Sequence, residues 1–252
     1  MPDVCLVVPC YNEARRLPQD AILEFLSAHA DCHLLFVDDG SSDGTAQVLA
    51  DLERRCPEQV TSVTLATNRG KAEAVRRGAL AAAAAGRYAY VGYWDADLST
   101  PLSAVAMLVA VLNEQPDCLL ALGSRWRRLG SKIERSGVRH VLGRAFATAA
   151  SLLLKLPVYD SQCGAKIFRA NAVDLLFADP FSSRWLFDVE LLARMSGALG
   201  AAMSGAAVEV PLHAWRDVGA SKLTIAQIVR VPFELLRIRR RYRLPHHAVS
   251  RP

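Results

Sequence analysis

The chain has 252 residues, 52% of them apolar and 22% charged, a length able to bury about 73% of the surface an unfolded chain would expose. This excludes a disordered tail or a disulfide mini-scaffold. The longest stretch without a charge, 98–113, is 16 residues broken by Ser99, Thr100, Pro101 and Ser103. A spanning helix needs about 20 apolar residues, so no membrane span is expected. The start, MPDVCLVVPC, lacks a basic leader and reads as a strand, not a secretory signal.

Net charge is +5, from 30 basic and 25 acidic side chains, yet residues 225–252 hold seven Arg against one Glu, and the first 224 residues sum to −1. A near-neutral body with a basic end argues against a nucleic-acid partner and for an anionic partner at the C-terminal end. The cysteines Cys5, Cys10, Cys32, Cys56, Cys118 and Cys163 form no CxxC pair and no metal-ligand spacing. Reduced, mostly buried thiols in a reducing cytoplasm are expected.

Short apolar runs at 4–8, 34–37, 60–65, 88–94 and 119–122 predict buried strands. Helical stretches near 17–30, 43–55, 71–85 and 101–114 lie between them, with Pro101 near a helix start. This alternation predicts an α/β fold with a mostly parallel sheet flanked by helices. The second half predicts a helix at 138–155, a strand at 163–168, a helix at 188–199, a strand at 208–212 and a final helix from 224.

Ligands of open parallel sheets bind beyond the carboxyl ends of the strands. Here those ends are polar: Pro9, Cys10, Tyr11, Asn12 and Glu13 after the first strand, Asp38 and Asp39 after the second, Asn68, Arg69, Gly70 and Lys71 after the third, and Asp95, Ala96 and Asp97 after the fourth. Asp38 and Asp39 could also serve the turn and cap the next helix. Asp95 and Asp97, two residues apart on extended chain, point the same way and repel unless a cation sits between them. Mg2+ or Mn2+ bound by one or two carboxylates completes its shell with water and substrate phosphates, which predicts a metal clamping a diphosphate. There is no GxGxxG, P-loop or HExxH segment, which disfavours a dinucleotide dehydrogenase, a P-loop NTPase and an HExxH metallohydrolase.

The segments VVPCYNEARRL, LLFVDDGSSDGT, NRGKAEAVRRGAL and YWDADLSTP, in this order, resemble glycosyltransferase family 2, with a GT-A fold and nucleotide-sugar donors. LGSRW, ERSGVRHVLG, DSQCGAKIF, RWLFDVELL and HAWRDVGASKL narrow the resemblance to the dolichyl-phosphate β-glucosyltransferases and, more loosely, the dolichol-phosphate mannose synthases. It covers about residues 4–224. Three departures from those relatives are expected: no amino-terminal anchor, Ser99 where the mannose synthases carry a metal-facing Gln, and Ala165 in place of an aromatic after QCG.

The resemblance implies that Pro9, Tyr11 and Glu13, with Asp38 or Asp39, hold the nucleobase and ribose, with Asn68 and Lys71 bordering the nucleotide. It implies that Asp97, assisted by Asp95 across Ala96, carries Mg2+ or Mn2+, that Arg216 and Lys222 form a basic pair near the diphosphate, and that Ser124, Arg125, Arg135 and Arg139 meet the acceptor phosphate. Inverting displacement at the anomeric carbon is implied, most simply of glucose from UDP-glucose onto a polyprenyl phosphate of dolichyl or undecaprenyl type. Such an acceptor is already anionic and needs no base; Asp188 and Glu190 sit where other members place one, but i, i+2 on a helix does not put both on one face.

The expected organisation is a catalytic domain over 1–223 followed by a basic amphipathic helix and tail over 224–252. Ile225, Ile228, Val229, Phe233 and Leu236 recur at helical spacing while Arg230, Arg237 and Arg241 share another face. This suits an interfacial helix on an anionic membrane surface, placing the protein peripherally on the inner face, although Pro232 should kink it and packing on the body is the competing reading. The rival functions are a family member using GDP-mannose or a hydroxyl acceptor, and a non-catalytic nucleotide-binding αβ domain.

Overall fold

The computed structural model describes residues 3–134, 137–218 and 225–242, with the backbone alone at 137–142, 144–145, 154 and 225–229. In chain order the first half is β1 (Val4–Cys10), α1 (Gln19–Ala28), β2 (Cys32–Asp38), α2 (Thr45–Arg55), β3 (Val60–Thr64), α3 (Lys71–Ala84), β4 (Tyr90–Trp94), α4 (Ala104–Glu114) and β5 (Leu120–Ser124). The second half is β6 (Lys132–Glu134), α5 (Gly137–Leu154), β7 (Ala165–Arg169), α6 (Val173–Phe177), α7 (Phe187–Leu199), α8 (Met203–Ala206), β8 (Ala207–Pro211), β9 (Ala214–Arg216) and α9 (Ile225–Tyr242).

Seven strands form one sheet in the order β3-β2-β1-β4-β7-β5-β8. All its pairings are parallel except those of β7, which runs antiparallel to β4 and β5. Strand side chains alternate between two cores. Val4, Leu6, Val8, Leu34 and Phe36 pack with Ile22, Leu26, Leu49, Leu52 and Leu108 on one face; Cys5, Val7, Leu35, Val37 and Tyr93 pack with Val75, Val173, Phe177, Leu191 and Met195 on the other. Burial on both faces is why β1, β2, β4 and β5 read as apolar runs; β3, expected to be a buried strand, lies at the sheet edge and is buried only at Val60. The six cysteines are free, and only Cys56 is not fully buried.

The chain moves outward from β1 to β3 and returns to place β4 on the other side of β1. The resulting switch point lies between β1 and β4, where a crevice opens at the carboxyl ends. The reversal of β7 was not legible from periodicity, and it has a consequence for the site. Trp94 pairs with Ala165, so the segment entering β7 arrives at the same edge as the end of β4. A second, two-stranded sheet joins β6 and β9 in parallel.

Helix α9 runs through Pro232 without interruption. Its Leu235 and Ile238 are buried in the same core as Leu191 and Met195 of α7, while Phe233 is 71% and Leu236 46% exposed. The basic segment therefore shares its packing with the body and also presents an outer face. Among the described residues no helix is long and apolar enough to cross a membrane.

Candidate active site

Asp95 and Asp97 follow β4 at the switch point, and both are half-buried, while Ala96 between them is turned into the core. The turn is tight. Leu98 adopts φ 48°, its N–H donates to Asp95 O at 3.0 Å, and Asp97 Oδ1 accepts Ser99 N–H at 2.9 Å. Asp97 Oδ2 accepts no hydrogen bond from any described residue. An oxygen-only pair with one such free oxygen fits a hard divalent cation that takes its remaining ligands from phosphates and water. No group of three or more His, Cys, Asp or Glu converges to hold a metal among the described residues.

Asp95 is held from two sides. Lys71, the first residue of α3, places its Nζ 2.5 Å from Asp95 Oδ1. On the other side the Asp95 N–H donates to Gly164 O at 3.0 Å, and the Asp95 carboxylate occupies the space a β-carbon on Gly164 would need. Desolvation opposes the Lys71 ammonium, but Asp95 and then Asp188 outweigh it, and its pKa is raised.

Asp188 lies within electrostatic reach of Lys71. Its Oδ1 accepts Lys166 Nζ at 2.6 Å and the Tyr93 hydroxyl, and Lys166 also donates to Cys163 O at 2.7 Å. Burial pushes the Asp188 carboxyl up and the Lys166 ammonium down. Glu190 faces elsewhere: it accepts Ser182 N–H at 2.8 Å, the Tyr242 hydroxyl at 2.6 Å and Arg194 at 3.3 Å. The i, i+2 spacing thus separates the two acids, one toward the strand ends and one toward α9.

The nucleotide-side residues also divide. Asp39 accepts Arg69 N–H and Gly70 N–H, each at 2.7 Å, so both its oxygens tie the loop after β2 to the loop opening α3. Asp38 Oδ1 accepts Ser41 N–H at 3.0 Å, whereas its buried Oδ2 has no partner among the described residues. Glu13 bonds Arg16 and likewise keeps a buried Oε2 without a partner. Tyr11 and Asn68 are exposed at the lip, and Pro9 is half-buried in β1.

Arg125 closes its fork on Asp160 with two bonds of 2.7 Å, and its own N–H reaches the same carboxylate at 3.0 Å. Its guanidinium lies 5.4 Å from the Trp215 ring centre. The fork that the resemblance assigned to an acceptor phosphate is thus taken within the chain, and Ser124 beside it is buried. Arg216 N–H donates to Ser99 O at 2.9 Å, which sets β9 next to the Asp97 turn. Its exposed side chain lies 3.4 Å from Glu134. Arg135 and Lys222 lie outside the described residues, and Arg139 is described only as a backbone position on α5.

Residues 5–177 match the family model for glycosyl transferase family 2. The chain belongs to this family. It is 30% identical over 253 residues to the dolichyl-phosphate β-glucosyltransferase of Dictyostelium discoideum, covering 95% of this chain and 74% of that protein. It is 34% identical over 236 residues to the Drosophila melanogaster enzyme of the same name, covering 88% and 69%. Glucosyl-3-phosphoglycerate synthase from Mycobacterium tuberculosis, solved with Mn2+, UDP-glucose and phosphoglyceric acid, superposes with a TM-score of 0.65 at 22% identity, covering 98% of this chain and 81% of that one. That likeness shows the shared fold. The protein is a glycosyltransferase with an α/β fold of GT-A type.

Gly164, Lys166, Tyr93 and Asp160 contact the candidate residues Asp95, Asp188 and Arg125 and were not singled out from the sequence. The available signal was local: Lys166 is a lone charge inside an apolar strand, and a buried charge requires a partner.

Proposed function

We propose that the protein transfers glucose from UDP-glucose, with inversion, onto a polyprenyl phosphate. The observation that carries this reading is the convergence of Asp95, Asp97 and Lys71 at the switch point, in a chain whose relatives are named dolichyl-phosphate β-glucosyltransferase. Asp97, with Asp95, would hold Mg2+ or Mn2+, which supplies positive charge against the departing diphosphate. Asp38 Oδ2 and Glu13 Oε2 would accept hydrogen bonds from the ribose and base, relieving two buried unpaired oxygens. Tyr11, Pro9 and Asn68 would border the nucleoside, and Arg216 with Lys222 would face the diphosphate.

The acceptor phosphate is anionic before it attacks, so catalysis rests on alignment and charge. Asp188, already bonded to Lys166 and Tyr93, would brace Lys71 and the β4 end rather than accept a proton. Residues 1–223 would carry the chemistry, and the exposed Phe233, Leu236, Arg237, Arg239 and Arg240 of the 224–252 segment would hold the enzyme on an anionic membrane surface.

The test incubates the protein with Mg2+ or Mn2+, a polyprenyl phosphate and a panel of nucleotide sugars, and detects the glycolipid by mass. Product from UDP-glucose is expected. Product from GDP-mannose alone would change the donor, and glycosylation of a soluble hydroxyl acceptor alone would sink the lipid reading.

A further inference from the structure

Arg125 is closed on Asp160, and a second cation, Arg184, stands at the opening of α3. Arg184 is exposed and makes no hydrogen bond or ion pair with any described residue. Its stem is nonetheless placed: a β-carbon built on Gly70 would stand 3.5 Å from Arg184 Cδ and Nε and 3.6 Å from Cγ. Gly70 directly precedes Lys71, which holds Asp95. The guanidinium is therefore stationed on the lip of the site, beside the opening of α3.

The neighbouring residues supply the opposite chemistry. Trp185 is 37% exposed, and its ring is tilted against Phe146 of α5 with centroids 6.2 Å apart. From Phe146 the same side of α5 continues through Ala149 and Leu153, at i+3 and i+7, the first exposed and the second half-buried. The pair is anchored, because Ser183 Oγ accepts Trp185 N–H at 3.2 Å and Leu186 N–H at 2.8 Å and donates to Glu234 of α9. A free cation followed by a half-exposed aromatic against an apolar helix side matches an amphiphilic phosphate, anionic at one end and apolar beyond it. A nucleotide diphosphate would use the cation but leave the aromatic pair unexplained.

We propose that Arg184 receives the acceptor's phosphate and that Trp185 and Phe146 seat the first segment of its hydrocarbon chain. This subsite rests on the polyprenyl-phosphate reading above and extends it to residues outside the family-suggested set.

The test titrates farnesyl phosphate, inorganic phosphate, and UDP with Mn2+ into the full chain by calorimetry, for the wild type, Arg184→Gln, Arg184→Lys and Trp185→Ala. Arg184→Gln is expected to weaken farnesyl phosphate about tenfold or more, the loss of one charge-assisted phosphate contact, with Arg184→Lys intermediate and UDP unchanged. Trp185→Ala is expected to weaken farnesyl phosphate and spare inorganic phosphate. Loss of UDP affinity with farnesyl phosphate unchanged would assign Arg184 to the donor and overturn the proposal, as would no change in either ligand. Turnover separates the two readings. If the wild type glycosylates polyprenyl phosphate and Arg184→Gln keeps its KM, this subsite alone is wrong; if the wild type neither binds farnesyl phosphate nor uses the lipid, the acceptor reading fails with it.

Discussion

Gly164 leaves the space that the Asp95 carboxylate fills: a β-carbon at 164 would overlap both carboxylate oxygens and Cγ. The backbone of the two residues is joined as well, Asp95 N–H to Gly164 O at 3.0 Å. Asp95 is thus oriented by the segment that enters the reversed strand β7, not by its own turn alone. Gly164→Ala should cost about 1–3 kcal/mol, as overpacking does, and weaken Mn2+-dependent UDP binding. In an Asp95→Ala background the same substitution should cost almost nothing. Thermal melts of the four proteins check this, and additive losses would dissolve the relationship.

Asp97 tests the metal reading. Asp97→Ala should abolish metal-dependent turnover and the increase in UDP affinity that Mn2+ produces in the wild type, while the fold, measured by circular dichroism, is kept. Near-normal rates would remove the carboxylate pair from the mechanism.

The Arg125–Asp160 pair makes a stability prediction with a sign. Burial works to raise the Asp160 carboxyl, but the Arg125 charge and hydrogen bonds outweigh it and lower its pKa. An unfolded Asp titrates near 3.9, so the pair's contribution is complete above about pH 4 and is lost as pH falls through the lower folded value. Asp160→Asn leaves Arg125 without its counter-charge and should cost about 3–5 kcal/mol at pH 7. Urea titrations at pH 7 and pH 3 should show the gap between wild type and variant shrinking in acid.

Asp188 and Glu190 should separate in kinetics as they do in space. Glu190→Gln loosens the loop at Ser182 and the hydroxyl of Tyr242, so it should lower the melting temperature and change KM little. Asp188→Asn should reduce kcat while leaving the shape of the pH–rate profile intact, because a phosphate acceptor needs no deprotonation. Disappearance of an acidic limb in that variant would restore Asp188 as a base.

The outer face of α9 is tested on vesicles. Replacing Arg237, Arg239 and Arg240 by Gln, and sparing Arg241, which donates to Ser182 Oγ at 2.9 Å, should weaken binding to anionic vesicles at low salt, each charge near the surface being worth about 1 kcal/mol. Leu235 and Ile238 are untouched by this change, so folding should persist. Equal binding by both proteins would leave α9 as a packing helix.

Much of this molecule was legible one-dimensionally. Buried strands announce themselves as apolar runs, and polar residues directly after them mark the crevice, because a parallel sheet covered on both faces leaves only its strand ends for ligands. Asp95 and Asp97 could therefore be singled out as candidates from their place after β4, while the turn that carries them could not. Local patterns carry no strand direction and no partner identity, and those are what the tertiary structure decided. The reversal of β7 brought Gly164 to Asp95 and Asp160 to Arg125; Asp39 proved to be spent on the Arg69 and Gly70 amides while Asp38 kept an oxygen; and the helical turn sent Asp188 and Glu190 to different neighbours. Each of these depends on which distant side chain satisfies a buried charge or hydrogen-bonding atom, a question answered only when the elements pack together.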